Sequence, residues 1–184
     1  MYFCIVFKQY VILFNQLYNN KLIDMRRKIK IEFVCLGNIC RSPMAEFVFR
    51  KMAEDAGVGE WFEVSSSATS REEEGNPVYP PAARKLREKG IDCSGKYARQ
   101  LTKRVYEASD YVIGMETRNL ENIRRMTHDD GDGKLYRLLD FVDEEHPRHG
   151  CNVADPWYTG DFDIAYADIE LGCCALLNSL LAKK

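Results

Sequence analysis

The sequence predicts an α/β fold: a parallel sheet covered by helices on both faces. Three observations predict it. Four short apolar stretches with strand character are spread along the chain rather than clustered. Segments of helical period lie between them, as crossover connections require and hairpins do not. The first strand also runs into a glycine-containing loop and then a helix, the kind of junction where parallel sheets bind ligands. At 184 residues, 46% hydrophobic and 29% charged, the chain has room for one domain with a real core.

Residues 1–24 are read as an N-terminal extension and residues 25–184 as the folded domain. The stretch "MYFCIVFKQYVILFNQLYNN" is apolar and aromatic, but Lys8 and Gln9 interrupt it. It is too short and broken for a membrane span and lacks the basic leader and cleavage site of a signal peptide. Met25 stands just before the basic "RRK", where the domain is expected to start. A misplaced start and a surface helix are the two accounts of the upstream piece.

In "KIKIEFV", residues 28–34, Ile29, Ile31 and Phe33 alternate with polar residues, which is a strand period. A helix follows from Ser42 to Ala56, with Pro43 in its first turn and Gly57 at its stop. "WFEVSS", 61–66, reads as the second strand, and "SREEEGNPVYPP" as a loop. Pro81 to Lys89 forms a helix closed by Gly90, and "LTKRVYEASD" a shorter one. "DYVIGM", 110–115, is a compact buried strand. Glu116 to Met126 is helical, and "KLYRLLDFV", 134–142, is the fourth strand. A long loop, "DEEHPRHGCNVADPWYTGDFD", precedes a last helix from about Phe162. That helix is expected to bury Ile164, Ala167, Ile169, Leu171, Cys174, Leu177 and Leu180. There are no internal repeats.

Composition excludes some classes of function. A net charge of -2 provides no basic field, so nucleic acid is not an expected partner and any anion must be held locally. The seven cysteines are odd in number and irregularly spaced, which fits free thiols in a reducing cytoplasm. No spacing suggests a zinc site. His146 and His149 flank "PR" in a polar loop and are read as solvated rather than chelating. Neither metal nor cofactor is expected.

The chemistry concentrates in "FVCLGNICRSPMAE", residues 33–46. Five residues separate Cys35 from Arg41, enough for a loop to curl with its N–H groups inward. With the following helix N-terminus this makes an anion cradle. Gly37 supplies conformational freedom, and Asn38 tolerates a left-handed backbone and can tie the loop to itself. Arg41 offers paired donors that match two phosphate oxygens. Inward dipoles and a guanidinium favour thiolate over thiol at Cys35, placing a nucleophile behind the bound group. Ser42 can donate to that sulfur when it leaves. A C-x5-R pattern alone is weak, since most cysteines are small buried hydrophobes. Its place between a strand and a helix opening with "SP" gives it weight.

Transfer from an ester also needs a proton donor for the leaving oxygen. Asp155, in "NVADPWYTGDFD", is the chosen carboxylate, with Pro156 stiffening the loop and Trp157 and Tyr158 supplying aromatic surface. Partial burial and a neighbouring dianion would favour its protonated form. Asp161 and Asp163 are read as solvated or helix-capping.

With these residues in view, the chain resembles the low-molecular-weight protein tyrosine phosphatase family. "VCLGNICRSPMAE" matches that family's signature, "ADPWY" resembles its acid loop, and "SSSATS…GNP", "ARQLT" and "LGCCALL" fall at its places. The resemblance covers about Lys28 to the C-terminus. It implies a four-stranded parallel sheet flanked by helices, with the phosphate-binding loop between the first strand and first helix. It implies Cys35 as nucleophile, Arg41 as phosphate clamp and Asp155 as general acid, then base. Asn38, Ser42 and Ser66 become the supports of the loop. The substrate site takes in Leu36, Gly37, Asn38, Ile39, Cys40 and Ser42, with Trp157, Tyr158 and Glu72 as walls. Cys40 resembles a second family thiol that forms a reversible disulfide with Cys35 and shields it from overoxidation. The implied partners are phosphotyrosine proteins or peptides, acted on by a cytoplasmic monomer.

Two departures concern substrate. Where the family usually has a large or aromatic residue before "GNP", this chain has Arg71-Glu72-Glu73-Glu74, with Glu72 in the aromatic's place. A carboxylate there would repel acidic peptides, and Trp157 is left to supply an aromatic wall. Ile39 stands where relatives specific for phosphoarginine tend to have threonine, and so favours phosphotyrosine. The rival activities are a thiol-dependent arsenate reductase of the same fold and a non-catalytic phosphate-binding adaptor. The first needs a downstream redox cysteine pair, whereas Cys93 and Cys151 are single and far apart.

Overall fold

The computed structural model describes residues 27–128 and 133–183. The expectation for residues 1–24 falls outside them.

Strand β1 (Ile29–Cys35) is central in a four-stranded sheet of order β2-β1-β3-β4, with β2 at Phe62–Ala68, β3 at Tyr111–Gly114 and β4 at Leu135–Arg137. All three pairings are parallel. Side-chain alternation along β1 sorts its residues between two cores. Ile31, Phe33 and Cys35 face the larger one, which also takes in Ile113 of β3. Val34 faces a smaller one with Val112, Tyr106 and Ile123.

Helices α1 (Arg41–Asp55), α2 (Pro80–Glu88) and α6 (Phe162–Ala182) cover the first face. Helices α3 (Lys103–Ala108) and α4 (Thr117–Thr127) cover the second. Phe33, Phe49 and Phe62 pack ring against ring in the larger core, with centroids 5.9 and 5.2 Å apart. Each such buried ring contributes about 1.5–3 kcal/mol through area removed from water.

Two elements differ from expectation. The fourth strand stops at Arg137, and Leu138–Phe141 form a 3-10 turn. Leu138 and Leu139 are both fully buried in the same larger core, on one side of the sheet, which the alternating side chains of a strand cannot provide. Asp140 Oδ2 also accepts from the Arg137 N–H at 2.9 Å and closes the turn. The last helix is rotated from the expected stripe. It buries Ala165, Ile169, Cys173, Leu176, Leu177 and Leu180, while Ile164, Ala167 and Cys174 are exposed. Gly172 explains the rotation: a Cβ there would meet Leu138 Cγ at 2.5 Å, so its bare backbone is what lets the 3-10 turn pack. Among the described residues α6 alone is long and apolar enough to cross a membrane by composition, yet half of its most apolar stretch is buried in the fold.

Because β1 leads to β2 on one side and the chain later returns to β3 on the other, the C-terminal ends of β1 and β3 frame a topological switch point. Cys35 ends β1 there, and Met115 and Glu116 follow β3.

Candidate active site

A cleft of about 210 Å³ opens at that switch point. Its floor is the loop from Cys35 to Arg41, and Glu72, Glu73, Asp155, Trp157 and Tyr158 form its walls. Leu36, Gly37, Ile39 and Cys40 also line it. Asn38, Ser42 and Ser66 lie beneath the floor, each at most 1% exposed.

The loop is held by a buried polar chain. Asn38 adopts a left-handed backbone, φ 57°, which Asn tolerates better than most residues. Its N–H donates to Cys35 Sγ at 3.2 Å. Its amide Nδ2 donates to Ser42 Oγ at 2.9 Å and Ser66 Oγ at 2.8 Å, while Oδ1 accepts from the Arg99 N–H at 3.2 Å. Ser42 Oγ lies 3.1 Å from the Cys35 sulfur. Ser66 Oγ donates in turn to Glu46 Oε2 at 2.6 Å, and Lys96 Nζ pairs with the same oxygen at 2.6 Å. Glu46 is a buried charge made tolerable by these partners and by Arg50 at 2.7 Å. Gly37 has a different role from the one expected. The left-handed residue is Asn38, and the missing side chain at Gly37 admits Glu73, whose Cγ would lie 3.0 Å from a Cβ there.

Helix α1 starts at Arg41 with no side-chain cap and no acidic residue in its first turn. Its N-terminus therefore adds positive partial charge to the loop. The Arg41 guanidinium is buried, 3% exposed, and pairs with Asp155 Oδ2 at 2.6 Å and Glu116 Oε1 at 3.3 Å. Burial opposes its charge, but Cys35, Glu116 and Asp155 together outweigh that, and its pKa shifts upward. Its Nη1 is buried without a partner, a donor left over for a further acceptor.

Asp155 caps the four-residue helix α5 (Pro156–Thr159), accepting from the Trp157 N–H at 3.1 Å. Its loop is anchored from below, where Val153 N–H donates to Met115 O at 2.9 Å and Ala154 N–H to Asp168 Oδ2 at 2.9 Å. Trp157 leans on Tyr79, ring centroids 5.4 Å apart, and is 57% exposed. Asp161 caps α6, accepting from the Asp163 and Ile164 N–H groups, and Asp163 pairs with Lys85 at 2.6 Å. His149 Nδ1 lies 2.7 Å from Val142 O, outside the cleft.

Cys40 and Cys35 are both free thiols in the loop. Burial first, then the neighbouring Cys35 and Asp155, pushes the Cys40 thiol up to about 12.

Residues 30–184 match the family described as low molecular weight phosphotyrosine protein phosphatase. The chain belongs to this family. It is 36% identical over 156 residues to the low molecular weight protein-tyrosine-phosphatase YfkJ of Bacillus subtilis, covering 85% of this chain and 98% of that one. To the human low molecular weight phosphotyrosine protein phosphatase it is 36% identical over 148 residues, 79% and 92% of the two chains. The fold is similar to the crystal structure of YfkJ with a TM-score of 0.80, covering 86% and 98%. It is also similar to the Streptococcus pyogenes low molecular weight protein tyrosine phosphatase, TM-score 0.70 at 36% identity, covering 83% and 93%. This low-molecular-weight phosphatase is therefore a phosphoric monoester hydrolase.

Sequence reasoning missed Glu116, Glu46, Lys96, Arg99, Glu73 and Tyr79. A signal existed for Glu116: it follows β3, the strand beside β1, at the sheet end where ligands bind. The buried chain through Glu46 and Lys96 joins residues 50 positions apart and leaves no local pattern.

Proposed function

We propose that this phosphatase hydrolyses phosphotyrosine through a cysteinyl-phosphate intermediate. The observation that carries the reading is Arg41, buried in the cleft with Nη1 unpaired, at the far end of the same short loop as Cys35. Such a donor beside a thiol suits a tetrahedral oxyanion.

Phosphate binds the loop N–H groups and Arg41, displacing Asp155 from the guanidinium. Cys35 attacks as thiolate, the S–P bond forms, and the P–O bond to the phenol breaks. Asp155, released from the guanidinium and taking up a proton from solvent beside the dianion, gives that proton to the leaving oxygen. It then accepts a proton from the water that attacks phosphorus, the S–P bond breaks, and sulfur departs as thiolate. Ser42 Oγ, 3.1 Å from Sγ, is placed to donate to that departing charge. Asn38 and Ser66 keep the loop in register for both steps. Trp157 and Tyr158 offer aromatic surface to the phenyl ring, and Ile39, 9% exposed, narrows the floor beneath it.

Cys40 stays protonated while Cys35 reacts and is the partner for a reversible protective disulfide. A reducing cytoplasmic setting, inferred from the odd number and irregular spacing of the seven cysteines, would return such a disulfide to free thiols. Replacing Cys35 by serine tests the reading. Turnover of phosphotyrosine and p-nitrophenyl phosphate is expected to vanish while inorganic phosphate still binds. Turnover retained in Cys35→Ser contradicts it, and thioredoxin-coupled arsenate reduction without ester hydrolysis in the unaltered enzyme replaces it with the arsenate chemistry.

A further inference from the structure

We propose that the cleft selects phosphotyrosine flanked by basic side chains, with Glu72 and Glu73 as the residues that read those charges. This rests on the phosphatase reading above and adds a substrate class to it.

Arg41 is the one cation among the residues lining the cleft, and it is engaged by Asp155 and Glu116 at the floor. Glu72 and Glu73 add two carboxylates to the lining besides Asp155. Glu72 is exposed at the mouth, and its carboxylate has no hydrogen bond or ion pair among the described residues. Its backbone N–H donates to Ser70 Oγ at 3.1 Å, fixing the turn that presents it. Glu73 accepts from Asn76 Nδ2 at 2.7 Å, a neutral donor that orients the carboxylate without cancelling its charge. Its stem lies against Gly37, so that charge sits beside the phosphate loop itself. Arg71 does not neutralise either residue, because its guanidinium pairs with Glu74 at 3.0 Å.

The exposed rings of Trp157 and Tyr158 line the same cleft. A lysine or arginine beside the phosphotyrosine thus meets a cleft lined by carboxylates and aromatic faces, and both attract a cation. A glutamate in the same place meets like charge with nothing to offset it. On the phosphatase reading the dianion binds at the floor beside Arg41, so the rim acts on what lies next to it. Exposed pairs are individually weak, but two aligned carboxylates also bias encounter.

The test compares two phosphotyrosine peptides that are identical except for lysine or glutamate on both sides of the phosphotyrosine. Each kcat/KM is divided by the same enzyme's value on p-nitrophenyl phosphate. The basic peptide is expected to be preferred by roughly tenfold at low salt. The preference is expected to shrink as ionic strength rises toward about 0.5 M, where charges are screened within a few ångströms. In Glu72→Gln, and further in Glu72→Gln/Glu73→Gln, the ratio is expected to fall toward one. Equal rates on the two peptides, or a preference that survives both substitutions, overturn the selectivity and leave the phosphatase reading standing. Absence of turnover on p-nitrophenyl phosphate and both peptides overturns the phosphatase reading, and the selectivity with it.

Discussion

At the floor of the cleft Asn38 is 1% exposed and every polar atom of its side chain is bonded, whereas at the rim Tyr158 is 81% exposed and Glu72 stands in solvent. The floor is fixed by a chain of contacts from Cys35 through Ser42, Asn38 and Ser66 to Glu46 and Lys96. Inside a low-dielectric interior such a network is costly to break, so the loop keeps one shape. The rim residues have few such ties and their side chains can change without disturbing the fold. On the proposed mechanism two properties would reside in different places: capture of phosphate in the buried floor, with Asp155 reaching down to it for cleavage, and choice of the surrounding peptide in the exposed rim.

The largest effect short of removing the sulfur is expected from Asp155→Asn, whose side chain reaches from the rim loop to Arg41. Phosphate esters with poor leaving groups should slow by roughly 10³-fold, while activated aryl phosphates lose much less. Equal losses across a leaving-group series, measured by steady-state kinetics, would remove Asp155 from proton transfer. Arg41→Lys keeps the charge but not the fork, and should lower kcat/KM by roughly 10²-fold on every substrate, whatever its flanking residues. A loss confined to acidic or to basic peptides would show that floor and rim are not separable. The smallest effect belongs to Glu72→Gln, which should alter the ratio between peptides.

Much of this architecture is legible in the chain. Alternation at Ile29, Ile31 and Phe33 marks β1, and the compact run "YVIG" marks β3, because each strand is buried in a regular way. The fourth strand is cut short because the adjacent Leu138 and Leu139 enter the same core, a pattern that a 3-10 turn accommodates and an apolar count does not reveal. The stripe of α6 is misplaced for a related reason: hydrophobic weight favours Ile164, but the contact is decided by Gly172, which carries no such weight. In the site, Cys35, Arg41 and Ser42 are close in sequence and so readable as a motif. Asp155 is distant in sequence but carries its own local pattern, "ADPWY". Glu116 and Lys96 are single charged residues in unremarkable surroundings, and only the sheet order and the loop packing bring them to the site.

In the proposed mechanism the Cys35 sulfur bonds to phosphorus during turnover. Acid-quenching the enzyme within its first turnover of an activated aryl phosphate and mapping the adduct by peptide mass spectrometry tests it directly. The account predicts one phosphate on the peptide containing Cys35, lost on standing at neutral pH. Phosphate on any other residue, or full product release with no adduct at any quench time, would contradict it.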